Sequence, residues 1–269
     1  DIQRSRGLGD VYKRQVVSDP HWVETINLYR SGSLASKPIL SSEALSLIDS
    51  ISPDDELRKI LEHRTQELIE YQNLSYAKEY MSFVGNIFEK EQKTRSSSEL
   101  SQNVAKYLFK LMATKDEYEV ARLSLKAELD SAINKEFGKS AKISYMLHPP
   151  FLKAMENIPI LNMLPGVKSK LALGSWFKVF YVMLKNMKFL RGTPFDFMAW
   201  FSNDVRKADR KALNHYKSIL SNNIDEIGNG KYQDLKEFSI LPDIIRGYEE
   251  VRLETMDEFY LKSNNLFKS

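Results

Sequence analysis

Apolar residues recur every three or four positions along most of the chain, and this spacing predicts a helical protein. The clearest run extends from Glu56 to about Lys90, with apolar residues at 57, 61, 68, 71, 74, 81, 84 and 87. It follows the sequence Ser52-Pro53-Asp54-Asp55, in which Ser52 can cap a helix, Pro53 suits the first helical position and the acids favour the positive end of the dipole. We therefore expect one long amphipathic helix here.

The remaining pattern predicts further helices separated by turn residues. They cover a short stretch that follows Ser41, then 98–112, 116–137 with Gly138 as the stop, 170–190 as a nearly buried helix, 203 to about 226, a short helix after Asn229-Gly230, and 249–267. Alternation over 142–147 predicts one short strand, ended by His148-Pro149-Pro150, and 151–168 is expected to be a loop. The predicted fold class is mainly α, an irregular helical bundle with at most a small β element near 142–147.

The first 40 residues differ from the rest. Residues 1–15 have no helical or strand period, and Asp10 to Gln15 resemble a translation of the transposon end used in sequencing libraries. We expect residues 1–15 to be a disordered artefact of a truncated metagenomic reading frame, the alternative being a natural basic tail. Residues 16–40 are expected to be the tail of a preceding domain and a linker, and residues 41–269 one helical domain.

Composition excludes several classes of function. The net charge of +3 gives no basic surface for nucleic acid. The chain has no cysteine, which excludes disulfides, thiolate nucleophiles and cysteine-ligated clusters within it. None of the four histidines lies four residues from another, so we expect no metal site. Charged residues interrupt every apolar run, so we expect no membrane span, no secretion signal and a cytoplasmic location.

Four sequence blocks, in this order, resemble the C-terminal domain of long-form indolepyruvate ferredoxin oxidoreductases. They are Arg64 to Ala77, Tyr107 to Arg122, Leu190 to Asp196 and Leu241 to Tyr248. The second, with YLFKLMATKDEYEVAR, is the most specific, and Asn27 to Ala35 resembles the end of the preceding gamma-type domain of that family. The chain departs from the usual pattern at Thr114, at Phe197-Met198 and near Arg206, where the arginines are sparser. These departures indicate a divergent branch.

The resemblance implies what the complete enzyme does. That family oxidatively decarboxylates aryl 2-oxoacids to acyl-CoA and passes the electrons to ferredoxin. It implies thiamine diphosphate, Mg²⁺, iron–sulfur clusters and CoA as co-substrate for the parent enzyme. Within this chain we expect no catalytic, cofactor-binding or metal-binding residue, because it carries no thiamine diphosphate motif and no cysteine. The expected partners are the catalytic domains of the parent chain and, indirectly, ferredoxin, with no nucleic acid and no membrane.

Several charged residues of these blocks are candidates for an interdomain or structural role. They are Lys115, Asp116, Glu117, Glu119, Arg122, Arg191, Asp196 and Arg246. The simplest interpretation is helix-start acids with exposed Lys115–Glu119 and Glu119–Arg122 pairs. The alternative is contact with a ligand or a partner domain. Arg191 and Arg246 are each followed by a glycine. A glycine with positive φ would free the arginine to bond helix-terminal carbonyls. The alternative is that these arginines bind an anion.

Three hypotheses of function follow from the sequence. The leading one is a noncatalytic module that completes a large oxidoreductase and is inactive alone. The second is a free-standing helical protein-interaction module without enzymatic activity. The third is a binder of nucleic acid or an anionic surface that uses Lys178, Lys185, Lys188 and Arg191. The same segment holds many aromatic residues from Trp176 onward, which we expect to be core rather than a cofactor site, and we expect His148 to be structural rather than a general base.

Overall fold

The computed structural model describes residues 40–126, 135, 145–147, 171–196, 198–199, 203–247 and 249–267. The chain divides after Ser41 into two compact units, and the second begins at Ser42. The predicted segments 1–15 and 16–40 lie outside the described residues, apart from Leu40. The predicted loop 151–168, the predicted helix stop at Gly138 and His148 also lie outside them.

The described part is mainly α, as predicted. Its helices are α1 (Ser42–Asp49), α2 (Asp55–Tyr71), α3 (Leu74–Thr94), α4 (Glu99–Met112), α5 (Glu117–Ser124), α6 (Lys178–Asn186), α7 (Asn203–Asn223), α8 (Tyr232–Ile240) and α9 (Glu249–Leu266). Shorter 3₁₀ turns cover Ser175–Phe177, Met187–Leu190, Ile224–Asn229 and Leu241–Ile244. Strands β1 (Tyr145–Leu147) and β2 (Leu171–Leu173) pair antiparallel, with Met146 opposite Ala172. The predicted strand at 142–147 is thus confirmed over its last three residues.

The core surrounds α4. This helix packs against α2, α3, α7 and α8, and every turn of it contributes a buried apolar side chain, from Leu100 to Leu111. Large aromatic residues from the other helices close the core on either side, among them Tyr80, Tyr216 and Phe238. Burial of such side chains contributes roughly 1.5–3 kcal/mol each, so this cluster holds the bundle together.

The prediction of one long helix from Glu56 to Lys90 is wrong in one respect, because this segment forms two helices, α2 and α3. Asn73 has extended backbone and its side chain accepts a hydrogen bond from the N–H of Tyr76 at 2.9 Å. That geometry is an N-cap, which starts a new helix and lets α3 change direction. The predicted cap at Ser52 also moves: Asp54 accepts from the N–H of Leu57 at 2.9 Å.

Two further predictions need correction. The helix predicted over 116–137 ends at Ser124, where the N–H of Leu125 bonds back to Arg122 and Leu123. The segment 170–190 is not one nearly buried helix: it starts as β2, becomes helical at 175, and buries one face while another faces solvent. Apolar composition could not reveal this, since it does not say which side a neighbouring element covers. Among the described residues, no helix is both long and apolar enough to cross a bilayer.

Candidate functional site: a buried ionic network at the start of α5

The predicted charged residues meet where α5 begins. Asp116 is the N-cap of α5, and its side chain accepts from the N–H of Glu119 at 2.9 Å. The cap fixes the first turn, so that successive side chains of α5 face different neighbours. Arg122 donates to glutamates of α2, whereas Asp116 meets Arg191 in the segment that follows α6, and Glu117 meets Arg206 of α7.

The first part of the network is the Arg122 cluster, which consists of Glu67, Glu70, Glu119, Arg122 and Lys126. Arg122 is 5% exposed, and its Nε and Nη2 donate to the two oxygens of Glu119 at 2.9 and 2.7 Å. Its Nη1 donates to Glu70 at 2.7 Å, and Glu67 accepts from both Arg122 and Lys126. The guanidinium therefore ties α5 to α2, with three carboxylates against two cations.

Burial and charge act in opposite directions on these groups. Burial alone would raise the pKa of Glu67, but its hydrogen bonds to Lys126 and Arg122 outweigh burial and lower it. Burial would lower the pKa of Arg122, while Glu119 and Glu67 raise it. The charged forms are therefore the stable ones, because each buried charge has a hydrogen-bonded partner.

The predicted pairs of this region are partly wrong. Glu119 does pair with Arg122, but the pair is buried rather than exposed. Lys115 does not pair with Glu119, since that carboxylate is directed at Arg122; Lys115 is exposed and forms no ion pair with any described residue.

The second part of the network is the Asp116–Arg191 pair. Nε and Nη2 of Arg191 donate to both oxygens of Asp116, at 2.5 and 2.8 Å. Nη1 donates to the carbonyl of Tyr71 at 2.6 Å and to the side chain of Gln72 at 2.7 Å, and the guanidinium lies 3.8 Å from the centre of the Tyr71 ring. Burial, with the nearby carboxylate of Asp116, raises the pKa of Tyr71 to about 12.

The end of α2 thereby receives two cations. Tyr71 is the last residue of α2, and Lys188 donates to the carbonyl of Glu70 one residue earlier. The last carbonyls of a helix lack partners within it and attract positive charge. Arg191 and Lys188 satisfy them from the segment after α6, and so fix that segment to α2.

Asp196 forms the third part. It is 1% exposed and accepts hydrogen bonds from Tyr118 Oη at 2.9 Å, Arg206 Nη1 at 2.9 Å and the N–H of Gly192 at 3.1 Å. Arg206 also donates to Glu117. Burial and this contact with Asp196 raise the pKa of Tyr118. The turn 191–196, α5 and α7 are thus joined through one carboxylate.

The Arg-Gly steps follow the sequence-based interpretation. Gly192 and Gly247 have φ of +77° and +81°, conformations that other residues rarely adopt. Arg191 then bonds the terminal carbonyl of α2, and Arg246 Nε donates to the carbonyl of Asp243 at 2.9 Å. Arg246 is exposed and contacts none of the Arg122, Asp116 or Asp196 groups, so the structure does not bring it into the site. Tyr248 lies outside the described residues.

A cleft of about 430 Å³ opens beside the Asp116–Arg191 pair. Its walls combine Tyr71, Tyr76, Thr114, Arg191, Arg206 and Arg210. Arg191 and Arg206 already pair with carboxylates, and Arg210 is exposed at the rim. Within the part of the chain that the structure describes, no group of three or more His, Cys, Asp or Glu side chains could hold a metal ion.

Sequence reasoning missed several members of the network. They are Glu70, Tyr118, Lys188 and Arg206 as partners, and Glu67 as the carboxylate that two cations share. Glu67 and Tyr118 stood within the resemblance blocks, which was the available signal. Their partners lie more than 50 residues away along the chain, at distances that periodicity does not address.

A family model matches residues 57–264 of the chain, which include all the helices from α3 to α8 and the whole ionic network. It describes DUF6537, a family of unknown function. The chain belongs to this family. No curated protein and no solved structure matches the chain. For this DUF6537 protein, the site geometry and the sequence resemblance are therefore the grounds on which a function can be proposed.

Proposed function

We propose that this DUF6537 chain is the noncatalytic C-terminal helical module of an indolepyruvate-type ferredoxin oxidoreductase in the cytoplasm. One observation carries the proposal. Three of the four blocks that resemble that family meet in one network: the first supplies Tyr71, the second Asp116 and the third Arg191 with Asp196. The residues that carry the resemblance are thus the ones that join α2, α5 and the turn after α6.

The state of the charged groups supports a structural role. Arg191 directs its donors at Asp116, Tyr71 and Gln72, and Arg122 directs its donors at three glutamates. A general acid or base has to present its proton-transfer group to a substrate. Groups held in internal pairs instead fix the relative positions of helices, which is what a supporting module requires.

The cofactors of the parent enzyme do not fit the residues of this chain. Iron–sulfur clusters are held by cysteine thiolates, and the chain has no cysteine. In our proposal the clusters, thiamine diphosphate with Mg²⁺, and the CoA site belong to the catalytic domains. This chain completes the large subunit, and ferredoxin meets those domains rather than this one.

The test is the DNA upstream of the codon for residue 16. We expect a continuous reading frame that encodes a thiamine diphosphate motif and clustered cysteines. A ribosome-binding site followed by a start codon would contradict the proposal and select the free-standing interaction module, which the exposed apolar side chains of α6 also favour. As a second measurement, the chain alone should form no acyl-CoA from indolepyruvate or phenylpyruvate; turnover would contradict the noncatalytic role.

A further inference from the structure

One side of the helical segment 175–190 is apolar and faces solvent. The segment consists of α6 and the 3₁₀ turns on either side of it, without interruption. We call its exposed side chains the apolar face: Trp176, Val179, Val182, Met183 and Phe189. Trp176, Val179 and Phe189 are 66%, 76% and 68% exposed. Large apolar patches of this kind mark interaction sites in proteins.

The spacing of these residues places them together. At 100° per residue they fall within an arc of about 140°. The opposite side carries Phe177, Tyr181 and Leu184, which are buried with Tyr118 of α5 in a second small core. A helix that is apolar all round is normally covered on every side. Here the protein covers one side and leaves the other open.

The ionic network holds this segment in a fixed position. Lys188 and Arg191 bond the end of α2, and Asp196 bonds α5 and α7. In the third resemblance block, Phe195 is exposed and the next residue, Asp196, is buried. The network therefore gives the apolar face a rigid support, and a preformed surface binds with less loss of conformational freedom.

Charge indicates what the face meets. Residues 171–195 include three lysines and one arginine but no Asp or Glu. Lys188 and Arg191 are directed at α2, whereas Lys185 is exposed and lies at one edge of the arc by its spacing. A complementary partner is apolar at the centre of its surface and acidic at that edge, since like charges placed opposite each other cost several kcal/mol.

We propose that the apolar face docks on a protein surface of this kind, carried by the catalytic domains of the same enzyme. The inference rests on the proposed function and names the surface through which it acts. A protein fits better than a bilayer, because the exposed amide of Asn186 lies within the arc. Hydrocarbon offers it no hydrogen bond, whereas a protein surface can. A second copy fits less well, because it would bring a second Lys185 to the same interface.

The probe is the catalytic part of a long-form indolepyruvate ferredoxin oxidoreductase, produced without its own C-terminal module. The full chain is titrated against it in wild-type form, as V179E/V182E, and as the control V251E/L261E, which changes two exposed apolar residues of α9. We expect the wild type and the control to bind alike and V179E/V182E to bind at least about 100-fold more weakly, since it buries two charges at the interface centre. K185E should also weaken binding.

The outcomes separate the two proposals. If wild type and V179E/V182E bind equally, this face is not the docking surface, although the module still associates and the proposed function stands. If the wild type does not bind, the proposed function and this inference both fail. If K185E binds more tightly, the partner's edge is not acidic and the inference is wrong.

Flotation of the wild type, but not of V179E/V182E, with phosphatidylcholine–phosphatidylserine vesicles would assign the face to lipid. Circular dichroism of each variant, with V179S/V182S as a milder change, controls for folding.

Discussion

The bundle and the α5–α6 unit, which comprises residues 116–124 and 175–196, are stabilised in opposite ways. The bundle buries large apolar side chains around α4 and leaves most of its described ion pairs at the surface. The α5–α6 unit has a small apolar core, buries its charges against α2 and α7, and exposes apolar side chains. Apolar packing is non-directional and gives stability, whereas buried ion pairs require exact partners. The second arrangement suits a unit whose position matters more than its own stability.

Among the described residues of the bundle, one charged side chain is fully buried, that of Glu91 in α3. It accepts from the N–H groups of Leu100 and Ser101 at 2.9 and 2.8 Å, and from Tyr232 Oη at 2.8 Å. Ser98, which precedes α4, makes no capping bond with its own side chain. Glu91 therefore caps α4 from another helix, placing a negative charge at its positive end.

The largest effect is expected in the apolar core of the bundle. Phe238 is fully buried, stacks on Tyr216 with ring centres 5.3 Å apart and packs against Phe259. Phe238→Ala should lower the free energy of unfolding by about 4 kcal/mol, through lost burial and the cavity left behind. Urea denaturation measures it. Ile240→Ala, at a partly exposed position of the same helix, should cost less than about 1 kcal/mol; equal losses would mean that this core is not tightly packed.

Removal of one cation tests the α5–α6 unit. Arg122→Met leaves Glu119 without its described partner and Glu67 with Lys126 alone, and should cost about 3 kcal/mol at pH 7. Arg58→Met, which removes a more exposed pair with Asp49, should cost much less. If both variants lose the same amount, burial of the Arg122 cluster contributes nothing.

The pH dependence of the same variant sharpens this test. Because the pKa of folded Glu67 lies below its ordinary 4.5, the stability it contributes is present above pH 4.5 and is lost as the pH falls through the folded value. The deficit of Arg122→Met should therefore shrink as the pH falls below 4.5.

Glu91→Gln examines the buried carboxylate of the bundle. The substitution removes the charge and replaces one acceptor oxygen with an NH₂ group, which would face donors. We expect a loss of about 2 kcal/mol. Glu89→Gln, two residues away and exposed, loses an ion pair with Lys93 and should leave the free energy of unfolding nearly unchanged. A neutral Glu91→Gln would mean that α4 is not capped by this carboxylate.

A smaller effect is expected at the contact between Tyr118 and Asp196. Tyr118→Phe removes one hydrogen bond to a buried carboxylate and keeps the ring in the small core, so the loss should be about 1 kcal/mol. Tyr107→Phe is the matched control, because the Tyr107 hydroxyl bonds no described residue. Thermal unfolding compares the two; a loss confined to Tyr107→Phe would contradict the role of Asp196.

Sequence predicted the bundle better than the α5–α6 unit, for physical reasons. Periodicity placed α4 and α9 within a residue or two, because an amphipathic helix repeats its apolar side locally. It missed the break at Asn73, since the apolar spacing continues across the cap. It placed the charged residues of α5 but not their partners on other helices, because Arg122 and Glu67 are 55 positions apart. The exposure of Trp176 depends on which neighbours cover α6, and local pattern holds no information on that.

The smallest expected effect returns to the bundle, where a titratable group borders the aromatic core. His215 packs on Phe259 and Tyr260 and its Nε2 lies 2.7 Å from Ser263 Oγ. Burial, together with Lys211, lowers the pKa of His215 below 6.5. The folded protein therefore binds this proton less readily than the unfolded chain, so the contribution is full above pH 6.5 and declines as the pH falls through the window beneath it. Because the ring is partly exposed, the loss between pH 7.5 and 5.5 should stay below about 1 kcal/mol. His215→Gln should therefore reduce the dependence of the free energy of unfolding on pH. Part of that dependence should remain, because burial also lowers the pKa of His63. If His215→Gln leaves the pH dependence of stability unchanged, other groups cause it. Protonation of His215 would then not affect the aromatic core, in contrast to the α5–α6 unit, whose stability depends on its charged groups.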